Sequence, residues 1–223
     1  MATSDRMERG RPLTIFFISI LVLILVGPAL ESIGRGRLVY LMVGAVVPFA
    51  AVYAVSRSKH ELHVAMIMAV PSALVGVAAQ RFTATAFDWM LLAFPFVFYV
   101  YATAIIARRV FRVRRVTTDT LAGAGCVYVL LGIIWWLAYN AVLMIDPSAL
   151  AGSGLTGAGG GVGEGDLLYF SYVTLTTLGY GDITPVSETA RSLAIVEAVV
   201  GVLFGMILVA RLVGQYASSA RAD

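Results

Sequence analysis

The sequence predicts an all-α membrane protein: six transmembrane helices, with a short re-entrant helix and loop between the fifth and sixth. Three observations lead there. Of the 223 residues, 60% are hydrophobic and only 13% are charged, the balance of an integral membrane protein and not of a soluble domain. Six apolar runs are each about long enough to cross a hydrocarbon core: Leu13 to Leu30, Leu38 to Val55, Leu62 to Ala79, Trp89 to Ala107, Leu121 to Ile145 and Ser192 to Val213. The alternating ten-residue strands of a membrane barrel are missing, so helices must satisfy the backbone in lipid.

The elements follow in order. Residues 1–12 form a cytoplasmic N-terminal segment, and Met1 to Gly10 reads as disordered. The first apolar run is read as a span and not a cleaved leader, because 18 residues from Leu13 is long for a leader's apolar region. Residues 13–107 make a four-helix bundle in which Pro48, Pro71 and Pro95 each predict a kink in spans two, three and four. A basic cytoplasmic linker, 108–116, joins this bundle to a second module, 117–223. That module holds an outer helix, the Gly-rich stretch Ala151 to Gly165, a short apolar helix within Asp166 to Thr177, a loop and an inner helix. The Gly-rich stretch reads as a flexible external turret, and no Gly-Lys-Ser or Gly-Lys-Thr makes it a phosphate loop.

Orientation follows from the basic residues. With the N terminus inside, twelve of the sixteen Arg and Lys fall on cytoplasmic segments, while Arg35, Arg37, Arg81 and Arg191 lie outside. The loop after the short helix then faces the exterior at its Asp182 end. The net charge of +3 is explained by the basic cytoplasmic segments and gives no argument for nucleic acid.

The loop reads TTLGYGD, Thr176 to Asp182. Successive carbonyls can point into one channel only if neighbouring residues alternate between right- and left-handed backbone, and Gly179 and Gly181 adopt the left-handed form without steric cost. Tyr180 would point outward and brace the loop, while Thr177 offers both a carbonyl and a hydroxyl at the inner end. Such a column of oxygens suits a dehydrated monovalent cation. Gly-Tyr-Gly alone also fits a tight turn, but a short helix re-entering between two spans favours the column.

With Leu178 in place of the Val of TVGYG, and Thr177, Gly179, Tyr180 and Gly181 matching, the loop resembles the filter of tetrameric potassium channels. The resemblance covers only the second module. It implies that Thr177, Leu178, Gly179 and Tyr180 coordinate K+ as the permeant ion, and that Thr176, Gly181, Asp182 and Glu197 support the filter. Asp182 matches the acidic residue after such filters and is expected to anchor the outer mouth or attract cations. Tyr169 and Phe170 stand where a Trp pair is frequent, so weaker hydrogen-bonded bracing is expected from them. One filter per chain implies a homotetramer with cyclic symmetry, its short helices aiming their negative C-terminal ends at a central cavity.

Four spans before the pore also resemble voltage-gated relatives, with Arg109, Arg112 and Arg115 at every third position. Nineteen uncharged residues, Trp89 to Ala107, precede them, and spans two and three carry no interior Asp or Glu, so strong voltage gating is not expected. Arg108, Arg109, Arg112, Arg114 and Arg115 are expected to lie on the cytoplasmic leaflet, either setting topology or binding anionic lipid.

Glu197 lies inside span six, where an ionisable group is costly; it is expected to brace the short helix from behind or to titrate, the alternative being a protonated carboxyl bonded to Ser171 or Thr174. Gly201 resembles a gating hinge, although with Gly205 it also forms a GxxxG packing motif. Trp135, Trp136 and Tyr139 read as packing or lipid residues, Asn140 as a bond to a neighbouring helix, and Cys126 as a small buried residue. His60 and His63 are weak metal ligands, so no metal site besides the K+ positions, no cofactor and no catalytic constellation is expected. About ten residues follow span six, so no gating domain is expected there. The rivals to a passive channel are a transporter, which would need inverted repeats, and a non-conducting scaffold or regulatory subunit.

Overall fold

The computed structural model describes residues 12–32, 67, 85–113, 117–163 and 165–219. Its main elements are α1 (Pro12–Ser32), α2 (Thr85–Arg112), α3 (Thr118–Ile145), β1 (Leu150–Ala151), a 3-10 turn (Ala158–Gly160), α4 (Asp166–Leu175), β2 (Thr184–Pro185) and α5 (Glu188–Ser219). Among the described residues, three helical stretches are long and apolar enough to cross a membrane: Asp88–Arg112, Thr118–Ile145 and Glu188–Arg211. The first, fourth, fifth and sixth expected spans fall on α1, α2, α3 and α5, while Leu38 to Val55 and Leu62 to Ala79, with Pro48, Pro71, His60 and His63, lie outside the described residues. Pro95 sits within α2.

Helix α3 is the spine. Thr117 caps it, accepting a hydrogen bond from the Thr120 N–H at 3.2 Å, so the chain turns from α2 into α3 within five residues. In that first turn Asp119 accepts from the Leu13 and Thr14 N–H groups, both at 3.2 Å, satisfying free donors at the start of α1. The N-terminal ends of α1 and α3 therefore lie side by side. Val110, near the end of α2, meets the same end of α3 at Gly123, which makes α2 antiparallel to α3. Cys126 is buried there, with its thiol donating to the Leu13 carbonyl at 3.5 Å. Asn140 donates to the Trp136 carbonyl of its own helix at 2.8 Å, and among the described residues no bond from it to a neighbouring helix is seen.

The core runs along α3, from Leu13, Phe16, Ile106 and Val110 at one end to Tyr139, Leu167, Phe170 and Ile183 at the other. Helix α4 is wedged between α3 and α5. Only one stripe of α5 joins this core, made by Ala190, Leu193, Ala194, Glu197, Gly201, Phe204 and Leu208 at helical spacing. Its other face stays apolar and exposed on the protomer, as at Ile195, Val199, Met206 and Val213.

Candidate functional site

The short helix expected within Asp166 to Thr177 forms as α4, ending at Leu175, and the chain then leaves it as an extended loop. The start of the loop is tied to the last turn of α4: the Thr177 N–H donates to the Thr174 carbonyl at 2.9 Å and the Leu178 N–H to the Val173 carbonyl at 2.9 Å. Gly179 and Gly181 have φ of +57° and +79°, the left-handed values the sequence called for. Thr177 joins them at φ +58°. A left-handed β-branched residue costs roughly 1–3 kcal/mol and marks a backbone held by its surroundings. Left-handed backbone therefore recurs at every second residue, 177, 179 and 181. Thr176 to Gly181 are all exposed on the single protomer, Leu178 by 54% and Tyr180 by 67%.

The outer end is held by two side chains and a strand pair. The Tyr169 hydroxyl donates to Asp182 Oδ2 at 2.7 Å, so a phenol reaches the carboxylate from this place in α4. That hydrogen bond, more than any burial, pushes the Tyr169 hydroxyl up to about 12. Strand β1 pairs antiparallel with β2, Leu150 opposite Pro185, and the Gly154 N–H donates to the Asp182 carbonyl at 3.0 Å. Gly152 passes so close that an added Cβ would stand 1.9 Å from the Asp182 carbonyl oxygen.

The turret is not the free linker its glycines suggested. Buried Asp166, in the first turn of α4, accepts from the Thr156 N–H and hydroxyl, each at 2.8 Å, and from the Gly163 N–H at 2.6 Å. One carboxylate thus folds the glycine-rich segment back onto the helix that carries the loop.

Behind α4 lies a buried polar cluster. Glu197 is fully buried; its two carboxyl oxygens accept from the Tyr139 hydroxyl at 2.7 Å and the Ser171 hydroxyl at 2.6 Å. Ser171 Oγ also lies 2.8 Å from the Gly132 carbonyl, and its one hydrogen serves only one of the two acceptors at a time. Of the two hydroxyls considered from sequence, the partner is Ser171. Tyr139, read as packing, is a hydrogen-bonding member of the cluster as well as a ring against Phe170. Nearby, the Tyr172 hydroxyl donates to the Val129 carbonyl at 2.8 Å, its ring lying over Gly132.

Gly201 packs directly beneath α4, where an added Cβ would stand 2.0 Å from the Leu175 carbonyl oxygen; Gly205 meets nothing. Close packing, not free space for bending, is what this geometry gives Gly201. Arg109 and Arg112 occupy the last turn of α2 and Arg108 is exposed, whereas Arg114 and Arg115 lie outside the described residues. Sequence reading missed Tyr169 as the partner of Asp182, Tyr139 as a partner of Glu197 and Asp166 as the anchor of the glycine-rich segment.

Residues 160–218, which contain α4, the loop and most of α5, match the ion-channel family. The likeness is confined to this segment, and the matching family is one of ion channels, not of enzymes. The chain is 39% identical over 85 residues to two pore potassium channel c of Oryza sativa subsp. japonica, a match covering 38% of this chain and 19% of that protein. It is 45% identical over 53 residues to two-pore potassium channel 4 of Arabidopsis thaliana, covering 24% of this chain and 19% of that one. The match thus spans about a fifth of the length of these curated relatives. No solved structure matches the chain.

Proposed function

We propose that this chain is one subunit of a homotetrameric, potassium-selective channel that conducts K+ passively through a filter made by Thr177, Leu178, Gly179 and Tyr180. The observation that carries this is the alternation of left-handed backbone at Thr177, Gly179 and Gly181, in a loop hung from a short helix between two membrane-length helices. Alternation turns successive carbonyls to one side, and carbonyls from four copies can replace an ion's hydration shell. The potassium-channel names of the relatives support K+ as the ion.

The unpacked apolar face of α5 and the exposed loop support fourfold assembly, since one copy leaves both without partners. Thr176, Gly181 and Asp182 support the filter at its ends, and Glu197 braces α4 through Ser171. In the cell membrane the Asp182 end faces outward and both termini lie in the cytoplasm, following the basic-residue bias.

Arg108 to Arg115 form a linker on the cytoplasmic leaflet, where anionic lipid is the fitting partner. The bundle gives weak voltage dependence, because the membrane-crossing part of α2 carries no basic residue before its last turns. Planar-bilayer recording under opposed potassium and sodium gradients, with voltage steps, tests this reading. A non-conducting scaffold would give no unitary current.

A further inference from the structure

The carbonyl of Leu175 closes α4 just before the loop, where helical carbonyls lack a partner within the helix. The Tyr128 hydroxyl of α3 donates to it at 3.1 Å, while the backbone of α5 packs on it at Gly201. The Tyr128 ring in turn lies 5.6 Å from the Phe204 ring, three residues beyond Gly201 on α5 and tilted 32° to it. Phe204 meets Phe111 of α2 edge-on at 6.5 Å, and Arg211 of α5 sits 5.4 Å over the Phe111 ring while donating to the Val113 carbonyl of the linker.

We propose that Tyr128 is a positioning residue of the filter: its hydroxyl fixes the Leu175 carbonyl under the loop, and its ring ties that carbonyl to the inner helix through Phe204. A shift of the cytoplasmic half of α5 carries Phe204 with it, moves the Tyr128 ring and pulls on a carbonyl two residues before Thr177. Inner-helix position is thereby felt at the innermost ion site of the same subunit. The proposal rests on the reading of Thr177 to Tyr180 as the filter.

Tyr128→Phe removes the hydroxyl and keeps the ring. In reconstituted tetramers the sodium-to-potassium permeability ratio of this variant rises roughly fivefold, the scale of one neutral hydrogen bond, and mean open time shortens by a similar factor. Phe204→Leu keeps the hydroxyl but removes the ring it leans on, shifting the same ratio the same way by less; it decides the matter if Tyr128→Phe yields no tetramer. A purely structural role would lower the tetramer's melting temperature and leave ratio and open time unmoved, which overturns the proposal. A potassium-selective wild type whose variants match it likewise overturns this proposal alone, whereas a non-selective wild type overturns the filter reading and this proposal together.

Discussion

At the scale of single residues, α4 and the loop that follows it are held by hydroxyls that donate to carboxylates. Glu197 takes two hydroxyls in a site without water access. Gln keeps one acceptor for Tyr139 and gains an amide donor toward Ser171, whose hydrogen is then free for the Gly132 carbonyl. Glu197→Gln therefore conducts like wild type, while Glu197→Leu leaves the Tyr139 hydroxyl without its buried acceptor, costs about 1–3 kcal/mol and lowers both open probability and tetramer melting temperature. Single-channel recording and a thermal melt check both variants. At the outer end the sign for Tyr169 is simple. Its folded pKa is raised above the ordinary tyrosine value, so the tie to Asp182 is fully present below about pH 10 and is lost as pH rises through about 12. An alkaline ultraviolet titration of Tyr169→Phe should lose one tyrosine's worth of absorbance change near pH 12, with the other late tyrosines unchanged. Across neutral pH this contact gives no pH dependence of current.

At the scale of elements, the turret and the inner helix carry distinct predictions. Asp166→Ala removes the acceptor of three hydrogen bonds, so the amides of Thr156 and Gly163 should lose hydrogen-exchange protection by at least tenfold, while α3 amides keep theirs. Gly201→Ala forces a methyl against the Leu175 carbonyl and should reduce conductance and tetramer stability together; Gly205→Ala, facing open space on the protomer, should be the milder change. These elements also separate what the sequence disclosed from what it withheld. The loop was legible because its constraint is local: Gly179 and Gly181 announce left-handed backbone by residue type alone. The pore helix was legible because an apolar run of its length is too short to span. Thr177 in the left-handed region was not, since a β-branched residue does not announce that conformation by its type. The folded turret was hidden because fifteen residues rich in glycine look flexible until one carboxylate, Asp166, is seen to gather their donors. Tyr139 meeting Glu197 across 58 residues has no periodic signal in the chain.

At the scale of the whole molecule, α2 and α3 are separated by five residues and packed on each other. One protomer leaves the apolar face of α5 and the loop 176–181 exposed, and the proposed fourfold assembly is the arrangement that would cover both. The most direct measurement is the reversal potential of purified, reconstituted protein as potassium on one side is exchanged for sodium. Four converging carbonyl columns predict a potential that follows the potassium gradient, moving by tens of millivolts upon exchange. A potential indifferent to the exchange would contradict the account.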